Sequence, residues 1–313
     1  MGIKVWLPFR SVAEAERALG GFPEGIDAEC FLADGNTPAS VGEVRYLVAP
    51  YMSSSKAVMA AADQMASLEC IQLLSAGYES FLRYLRPGVS LSNAAGVHDA
   101  GTAELAVGLA LVANRDLDRY ARNMSDGRWK LDFGISLADK RVLIVGYGNI
   151  GKAIERRVAG FEVASITRVA SRARVEDGKA VHGVEELCEL LPQADVVFII
   201  CPLTPQTERL FDKKAFQSMA KSALLVNVSR GKVVDTADLL QAVQSGQIRA
   251  ALDVTDPEPL PPDHPLWRTP GVFISPHAGG QCDAMHPRSR KLMAEQLRRL
   301  AAGAPLANIV AQG

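Results

Sequence analysis

The segment 140–168 constrains the fold of this chain more than any other part of the sequence. It contains a short apolar run at 142–145, which is typical of a strand buried on both faces. Gly146-Tyr-Gly-Asn-Ile-Gly151 follows at once and has the spacing G-x-G-x-x-G. We predict a helix over 152–158 and a second buried strand over 162–167. This order of strand, glycine turn, helix and strand predicts a dinucleotide-binding βαβ unit.

Each glycine of the motif has its own physical task in such a unit. Gly146 allows the tight turn that leaves the strand, and Gly151 lets the helix pack closely on it. Gly148 has no Cβ, so a pyrophosphate can approach the backbone and meet the positive N-terminal end of the helix. The alternative is a glycine-rich turn that binds no ligand.

The end of the second predicted strand indicates which dinucleotide is bound. An NAD site usually carries Asp or Glu about 20 residues after the first glycine, where it binds the ribose 2′-hydroxyl. Here Thr167 and Arg168 occupy that region, and Arg168 lies 22 positions after Gly146. Arg172 and Arg174 follow. An arginine fork suits a 2′-phosphate, so the sequence favours NADP and leaves NAD possible. The alternative is that Arg168 only ends the strand at a solvated edge.

Size and composition exclude several classes of function. The chain has 313 residues, enough for two domains, and its formal net charge of −1 suggests neither nucleic acid nor a membrane as partner. No apolar run approaches the roughly 18 residues that cross a bilayer. The cysteines are scattered and never form C-x-x-C, which argues against a metal site and for reduced thiols in a cytoplasmic protein. They are Cys30, Cys70, Cys188, Cys201 and Cys282.

Alternating elements over 3–95 predict a small α/β unit before the glycine motif. The candidate elements are strands at 3–7, 29–32, 46–49 and 71–74 and helices at 12–19 and 55–64. Such alternation implies a parallel sheet with helices on both faces. Ser75, Ala76 and Gly77 follow the last of these strands as a loop of small residues whose N–H groups can receive an anion. The alternative is an ordinary βα turn.

Further buried strands are predicted after the glycine motif, at 194–200, 224–228, 250–254 and 272–275. Three of them deliver Arg230, Asp253 with Glu258, and His277 at their carboxyl ends. Parallel strands end at one edge of a sheet, and ligands of open α/β sheets bind there. An arginine can fork a carboxylate, and a histidine beside a carboxylate can pass a proton near neutral pH. Each residue alone has a structural alternative, but together they predict catalysis.

At these residues the sequence resembles the D-isomer-specific 2-hydroxyacid dehydrogenases, over essentially the whole chain. The motifs that carry the resemblance are Gly146-Tyr-Gly-Asn-Ile-Gly151, Pro202-Leu-Thr-Pro-Gln-Thr207, Asn227-Val-Ser-Arg-Gly231, Leu252-Asp-Val-Thr-Asp-Pro-Glu-Pro259 and Ser275-Pro-His-Ala-Gly279, with shorter matches at Ser75-Ala-Gly-Tyr78, Asn93-Ala-Ala-Gly96 and Ala103-Glu104. The family implies an α/β protein of two doubly wound parallel-sheet domains, flavodoxin-like or Rossmann-like, with the cofactor domain inserted into the substrate domain. The implied substrate domain is 1–97 with 283–313, the implied dinucleotide-binding domain is 98–282, and a homodimer is implied.

The resemblance also implies a role for each matching residue. Arg230 would bind the substrate carboxylate and carbonyl, and His277 would be the acid in reduction and the base in oxidation. Glu258 would pair with His277, and Asp253 would lie beside the nicotinamide carboxamide. Backbone N–H groups of the 75–77 loop (Ser75, Ala76, Gly77) would complete the carboxylate site. The implied cofactor contacts are Thr102, Gly146, Tyr147, Gly148, Asn149, Ile150, Gly151, Thr167, Arg168, Cys201, Pro202, Thr207, Val228, Ser229, Asp253, His277 and Gly279.

The chain departs from the family pattern where the cofactor and substrate walls are expected. Thr167 and Arg168 replace the aspartate of NAD-using members, and Thr255 replaces a common aromatic residue. The sequence therefore predicts a reductase that uses NADPH on a small 2-oxo acid, with glyoxylate or hydroxypyruvate favoured. The alternative function is a non-catalytic, dinucleotide-sensing protein of the corepressor type.

Overall fold

A computed structural model describes residues 2–34 and 37–313 of the chain. These residues form two compact units, Met1–His98 with Asp283–Gly313 as the first and Asp99–Cys282 as the second. The first unit extends one residue further than the substrate domain that the resemblance implied, which ended at residue 97. The chain therefore leaves the first unit once and returns to it through its C-terminal helix.

The strands and helices alternate along both units. The strands are β1 Ile3–Leu7, β2 Ile26–Cys30, β3 Tyr46–Val48, β4 Cys70–Gln72, β5 Ser90–Ser92, β6 Arg141–Val145, β7 Ser165–Ala170, β8 Arg174–Glu176, β9 Lys179–Gly183, β10 Val196–Ile199, β11 Ala223–Asn227, β12 Ile248–Leu252, β13 Val272–Ile274 and β14 Ile309–Gln312. The α-helices are α1 Val12–Leu19, α2 Ser55–Ala62, α3 Glu79–Leu82, α4 Asp99–Arg115, α5 Leu117–Ser125, α6 Asn149–Val158, α7 Leu187–Leu190, α8 Lys213–Ser218, α9 Thr236–Gln244 and α10 Met285–Ala301. Short 3-10 helices lie at Ala39–Glu43, Ala159–Phe161, Val184–Glu186, Leu191–Gln193, Gly231–Val233 and Pro265–Arg268.

Side-chain caps explain where several helices begin and end. The hydroxyl of Ser11 accepts from the Glu14 N–H at the start of α1, and Gly20 ends that helix in the left-handed region. Asp212 caps α8 and Asp235 caps α9 in the same way, each through its carboxylate. Asp212 and Asp235 therefore fix where α8 and α9 begin, and Gly20 fixes where α1 ends.

The first unit contains a six-stranded sheet in the order β14-β5-β4-β3-β1-β2. The strands β1 to β5 are parallel, and β14 is antiparallel to β5. The predicted strand 29–32 is β2 at Ile26–Cys30, and 71–74 is β4 at Cys70–Gln72, so both predictions lay a few residues late. The sequence did not reveal β5 and β14, because short strands rich in serine, alanine or glutamine lack a long apolar run.

The second unit contains an eight-stranded sheet in the order β13-β12-β11-β10-β6-β7-β9-β8. Its strands are parallel except for β8, which is antiparallel to β9. The helices α4 and α6 pack on one face, and α7, α8 and α9 pack on the other. Helices on both faces of a parallel sheet make a doubly wound α/β fold, so the predicted fold class is confirmed.

One strand of the second unit lies later than predicted. The segment predicted as 162–167 is β7 at Ser165–Ala170. Glu162 has a left-handed φ of 57°, so the strand starts after it, and pairing with β9 extends the strand to Ala170. The hairpin β8–β9 then follows, and the sequence analysis did not predict it. Half of the residues in its two strands are exposed, so it carries no long apolar run. The later end of β7 places Arg168 within the strand.

Among the residues that the structure describes, there is neither a membrane-spanning helix nor a cluster of metal ligands. Within 2–34 and 37–313, no helix is both long enough and apolar enough to pass through a membrane. The same residues contain no group of three or more His, Cys, Asp or Glu side chains arranged to hold a metal ion.

Candidate active site

The glycine turn between β6 and α6 has the geometry that the motif predicts. Gly146 has a φ of 110°, and a Cβ there would overlap the backbone of Ile200 and Cys201. A Cβ on Gly151 would overlap the Gly146 carbonyl, whereas a Cβ on Gly148 would meet nothing. Gly148 is also the N-cap of α6 and offers no side chain to its first N–H groups. Gly146 and Gly151 are therefore packed against neighbouring backbone, whereas Gly148 is open to a ligand. This arrangement fits a pyrophosphate at the helix N-terminus.

The carboxyl ends of the parallel strands lie at one level of the second sheet. The cross-strand partners run through Val145, Ile199, Asn227, Leu252 and Ile274, from β6 to β13. Neighbouring strands lie about 4.8 Å apart, so the segments that follow these residues are neighbours along a single edge. This edge carries the glycine turn at one end and the predicted catalytic residues at the other.

Arg230 is presented by a turn that is built on Asn227, a side chain buried at the end of β11. The Asn227 amide donates to the Arg230 carbonyl at 3.1 Å and accepts from the Ser229 N–H at 3.0 Å. The next residue, Gly231, has no Cβ, and one there would overlap the Thr255 carbonyl. Gly231 thus allows the loop after β12 to approach Arg230. The sequence motif contained Asn227, but its structural role became apparent only from these contacts.

His277 lies on a turn that is held by Asp253, a buried residue directly after β12. The Asp253 carboxylate accepts from the Ala278 N–H at 2.8 Å, the Gly279 N–H at 2.9 Å and the Ser275 hydroxyl at 2.5 Å. The Asp253 carbonyl accepts from the His277 N–H at 2.7 Å. His277 itself has a left-handed φ of 55°. Such a backbone costs energy in a non-glycine residue, and it is common at functional sites that the surrounding structure supports.

His277 and Glu258 form a hydrogen-bonded pair. The His277 Nδ1 lies 2.5 Å from the Glu258 Oε1, and both side chains are partly exposed. The hydrogen bond to Glu258 raises the pKa of His277, and Arg230 acts in the opposite direction by its charge. The hydrogen bond from His277 lowers the pKa of Glu258. Because Nδ1 faces the carboxylate, Nε2 on the other side of the ring can exchange a proton with a ligand.

The remaining residues predicted to contact the cofactor line the same edge. Cys201 and Pro202 follow β10, and the Thr207 hydroxyl closes their loop by donating to the Pro202 carbonyl at 2.6 Å. Val228 and Ser229 follow β11, Thr102 is buried in α4, and a Cβ on Gly279 would lie 3.3 Å from the Thr102 methyl. Tyr147, Asn149 and Ile150 belong to the glycine turn and the start of α6.

Arg168 does not lie where the sequence suggested. It is within β7, opposite Ile144, and the preceding Thr167 is opposite Leu143. Its Nε donates to Glu155 Oε2 at 2.9 Å, and its NH2 group donates to Glu155 Oε1 at 2.6 Å. The fork of Arg168 is therefore filled by a carboxylate of the protein, which the sequence did not reveal because Glu155 lies on α6. The residues that follow β7 are Ser171 and Arg172, both exposed.

The 75–77 loop belongs to the first unit and follows β4. The carbonyls of all three residues accept hydrogen bonds within that unit: Ser75 from the Ala94 N–H, Ala76 from the Asn93 amide, and Gly77 from the Ser75 hydroxyl. In a trans peptide the N–H points opposite to the carbonyl. The N–H groups of Ala76 and Gly77 therefore face away from these partners, as an anion-binding loop requires.

Comparison with known proteins identifies the family. Residues 107–279 match the family model described as D-isomer specific 2-hydroxyacid dehydrogenase, NAD binding domain. The mouse protein named glyoxylate reductase/hydroxypyruvate reductase is 37% identical over 223 residues, which are 68% of this chain and 68% of the mouse protein. The glyoxylate reductase of Korarchaeum cryptofilum is 35% identical over 237 residues, 72% of this chain and 70% of that protein.

Solved structures match nearly the whole chain. A D-isomer specific 2-hydroxyacid dehydrogenase family protein from Aeromonas salmonicida has a TM-score of 0.85 and 27% identity, with 99% of each chain covered. The D-isomer specific 2-hydroxyacid dehydrogenase from Xanthobacter autotrophicus Py2, solved with NADPH and MES, has a TM-score of 0.80 and 26% identity over 99% of this chain and 98% of that one. This chain therefore belongs to the D-isomer-specific 2-hydroxyacid dehydrogenase family, whose members are NAD(P)-dependent oxidoreductases.

Proposed function

We propose that this enzyme reduces a small 2-oxo acid with NADPH, and that glyoxylate or hydroxypyruvate is the substrate. The observation that carries the proposal is the His277–Glu258 pair next to Arg230, on the same sheet edge as a glycine turn open to a dinucleotide. The names of the mouse and Korarchaeum relatives support the substrate class. No observation on the site favours the alternative of a non-catalytic, dinucleotide-sensing protein.

The chain's own residues supply binding, charge stabilisation and a proton. The Arg230 guanidinium binds the substrate carboxylate and stabilises the negative charge that develops on the carbonyl oxygen. His277 donates its Nε2 proton to that oxygen, and Glu258 keeps the ring oriented and protonated. When bound, NADPH supplies the hydride for the carbonyl carbon. Binding of the carboxylate by the 75–77 loop stays a prediction from the sequence.

The selectivity for NADPH is proposed from the charges beside the glycine turn. No carboxylate follows β7, where Ser171 and Arg172 stand. Around the turn, four cations form ion pairs with only two carboxylates, so two positive charges are in excess. The cations are Lys152, Arg168, Arg174 and Lys179, and the carboxylates are Glu155 and Glu176. An excess of positive charge favours a 2′-phosphate. The NADPH complex of the Xanthobacter relative supports this choice.

A spectrophotometric screen of 2-oxo acids tests the proposal. We expect the enzyme to reduce glyoxylate or hydroxypyruvate, and we expect kcat/KM for NADPH to exceed kcat/KM for NADH with the same 2-oxo acid. Replacing Arg172 by Met should lower the NADPH rate and spare the NADH rate. Absence of turnover with every 2-oxo acid would refute the enzymatic proposal. Equal or faster turnover with NADH would refute only the cofactor assignment.

The pH dependence of reduction tests the pairing of His277 with Glu258. A raised His277 pKa keeps the proton-donating form populated to higher pH, so kcat/KM for reduction should fall only as pH rises through that raised pKa. Glu258→Gln removes the charge that raises the pKa, so the decline should move to lower pH. We would measure kcat/KM between pH 5 and 10, limits that bracket about 6.5, the ordinary pKa of histidine. An unchanged midpoint in the variant would contradict the pairing.

We also propose that the enzyme is a homodimer through the segment 124–135, called here the apolar arm. Trp129 and Phe133 are fully exposed, and Leu131 is mostly exposed. Hydrogen bonds hold the arm in place, since Tyr120 donates to the Asp132 carbonyl at 2.9 Å. Soluble monomers rarely expose contiguous large apolar groups, so a second copy is the partner we propose.

Light scattering tests the dimer. The native chain should have the mass of two copies, and Trp129→Ser with Phe133→Ser should halve it. Trp267→Ser, which changes a half-exposed tryptophan elsewhere in the unit, should leave the mass unchanged. A monomeric native chain would contradict the proposal.

The five free thiols support a reducing compartment, which we propose is the cytoplasm.

A further inference from the structure

A buried carboxylate that the proposed mechanism does not use lies directly behind the glycine turn. Glu155 is in the second turn of α6, and its side chain is 7% exposed. It accepts two hydrogen bonds from Arg168 on β7 and one at 2.6 Å from Lys179 on β9. It also accepts a short hydrogen bond from the Tyr147 hydroxyl. One carboxylate thus joins a helix, two strands and the glycine turn.

This carboxylate remains ionised over the whole working range of pH. The hydrogen bonds from Arg168 are the largest cause that lowers its pKa to about 2, against the opposing effect of burial. A buried charge is costly unless it is fully paired, and here both oxygens are engaged. The cluster is therefore a fixed anchor rather than a proton donor or a pH switch.

The anchor holds the one large side chain of the glycine motif. Tyr147 is the residue between Gly146 and Gly148, and it is 8% exposed although the turn around it is open. The Arg168 guanidinium lies 5.8 Å from the Tyr147 ring centroid. Arg174 on β8 donates to the Tyr147 carbonyl at 3.0 Å. Two contacts therefore hold Tyr147 in place. Glu155 accepts a hydrogen bond from its hydroxyl, and Arg174 of the β8–β9 hairpin donates one to its carbonyl.

We propose that Glu155 is a positioning residue for the dinucleotide. Glu155 fixes the side chain of Tyr147, and Tyr147 in turn fixes the backbone of the glycine turn that binds the dinucleotide. The inference rests on the proposed function, because it requires that the turn bind a dinucleotide. A turn that is already in its bound conformation loses less conformational entropy on binding. Glu155 thereby raises affinity for the diphosphate portion, which NADPH and NADH share, and leaves the chemistry at the other end of the sheet unchanged.

Equilibrium binding measures this role without turnover. NADPH and NADH would be titrated by their own fluorescence against the native chain, Tyr147→Phe, Glu155→Gln and the double variant. Tyr147→Phe keeps every ion pair and removes only the hydroxyl, so it guards against misfolding of the Glu155 variant. Glu186→Gln is the matched control, because Glu186 is a carboxylate of the same unit that pairs with His182 on β9 at 2.7 Å.

We expect each single variant to raise the Kd of both NADPH and NADH about 5- to 10-fold. The double variant should bind as weakly as Glu155→Gln alone, because both changes release the same anchor. The control should bind like the native chain. Native affinity in Tyr147→Phe, or additive losses in the double variant, would overturn the inference and leave the proposed function standing. A native chain that binds no dinucleotide would overturn both.

Discussion

Replacement of His277 by Ala is expected to lower kcat for glyoxylate reduction by about 10²–10⁴-fold, the usual contribution of a positioned general acid. The imidazole pairs with Glu258 through Nδ1 and so presents Nε2 for proton donation. Without it, the carbonyl oxygen must take its proton from water while negative charge accumulates. The side chain is partly exposed and packs little, so folding and the affinity for NADPH should be almost unchanged.

A matched control comes from a second imidazole–carboxylate pair in the same unit. The His182 Nδ1 lies 2.7 Å from Glu186 Oε2, on β9, which four strands separate from β12, the strand that leads to Asp253. His182→Ala should therefore keep native kcat. Steady-state kinetics with NADPH at saturation, together with cofactor binding, measure both variants. Near-native turnover in His277→Ala would show that the proton comes from elsewhere.

Replacement of Arg230 by Met is expected to lower kcat/KM for the 2-oxo acid by roughly 10²–10⁴-fold. The guanidinium would lose two charged hydrogen bonds to the substrate, each worth about 1.5–3 kcal/mol. A tenfold change corresponds to about 1.4 kcal/mol, which gives that range. The loss should fall on both KM and kcat, because Arg230 binds the ground-state carboxylate and the developing oxyanion.

Arg230→Lys separates charge from geometry. Lysine keeps the positive charge but cannot form a planar fork, so it should recover only part of the lost kcat/KM. Arg209→Met is the control for loss of charge alone, because Arg209 is an exposed arginine of the same unit that contacts Asp235. Native kcat/KM in Arg230→Met would remove the arginine from the substrate site.

The sequence was sufficient to predict which candidate residues lie at the carboxyl edge of the second sheet. Arg230, Asp253 and His277 follow apolar runs that became β11, β12 and β13, and parallel strands must end at a common edge. The three glycines of the motif were also interpretable, because a tight turn, an open approach and a close helix contact each require the absence of Cβ.

The sequence was insufficient where a side chain chooses between partners. Arg168 looked like a phosphate fork because it stood near the end of an apolar run, but β7 continues to Ala170 through its pairing with β9. Arg168 therefore lies inside the strand, and its fork meets Glu155 on a neighbouring helix. A glutamate in a helix is usually exposed, whereas Glu155 shares the buried face of α6 with Ile154 and Val158. Its partner on β7 became apparent only from the tertiary contacts.

The most direct measurement of the central claim is a crystal structure of the enzyme with NADP and oxamate, a non-reducible analogue of a 2-oxo acid. We predict that the oxamate carboxylate lies in the fork of Arg230 and that its carbonyl oxygen lies about 2.6–3.2 Å from the His277 Nε2. The nicotinamide ring should face the same carbonyl carbon. An imidazole turned away from the ligand, or oxamate bound without Arg230, would contradict the claim.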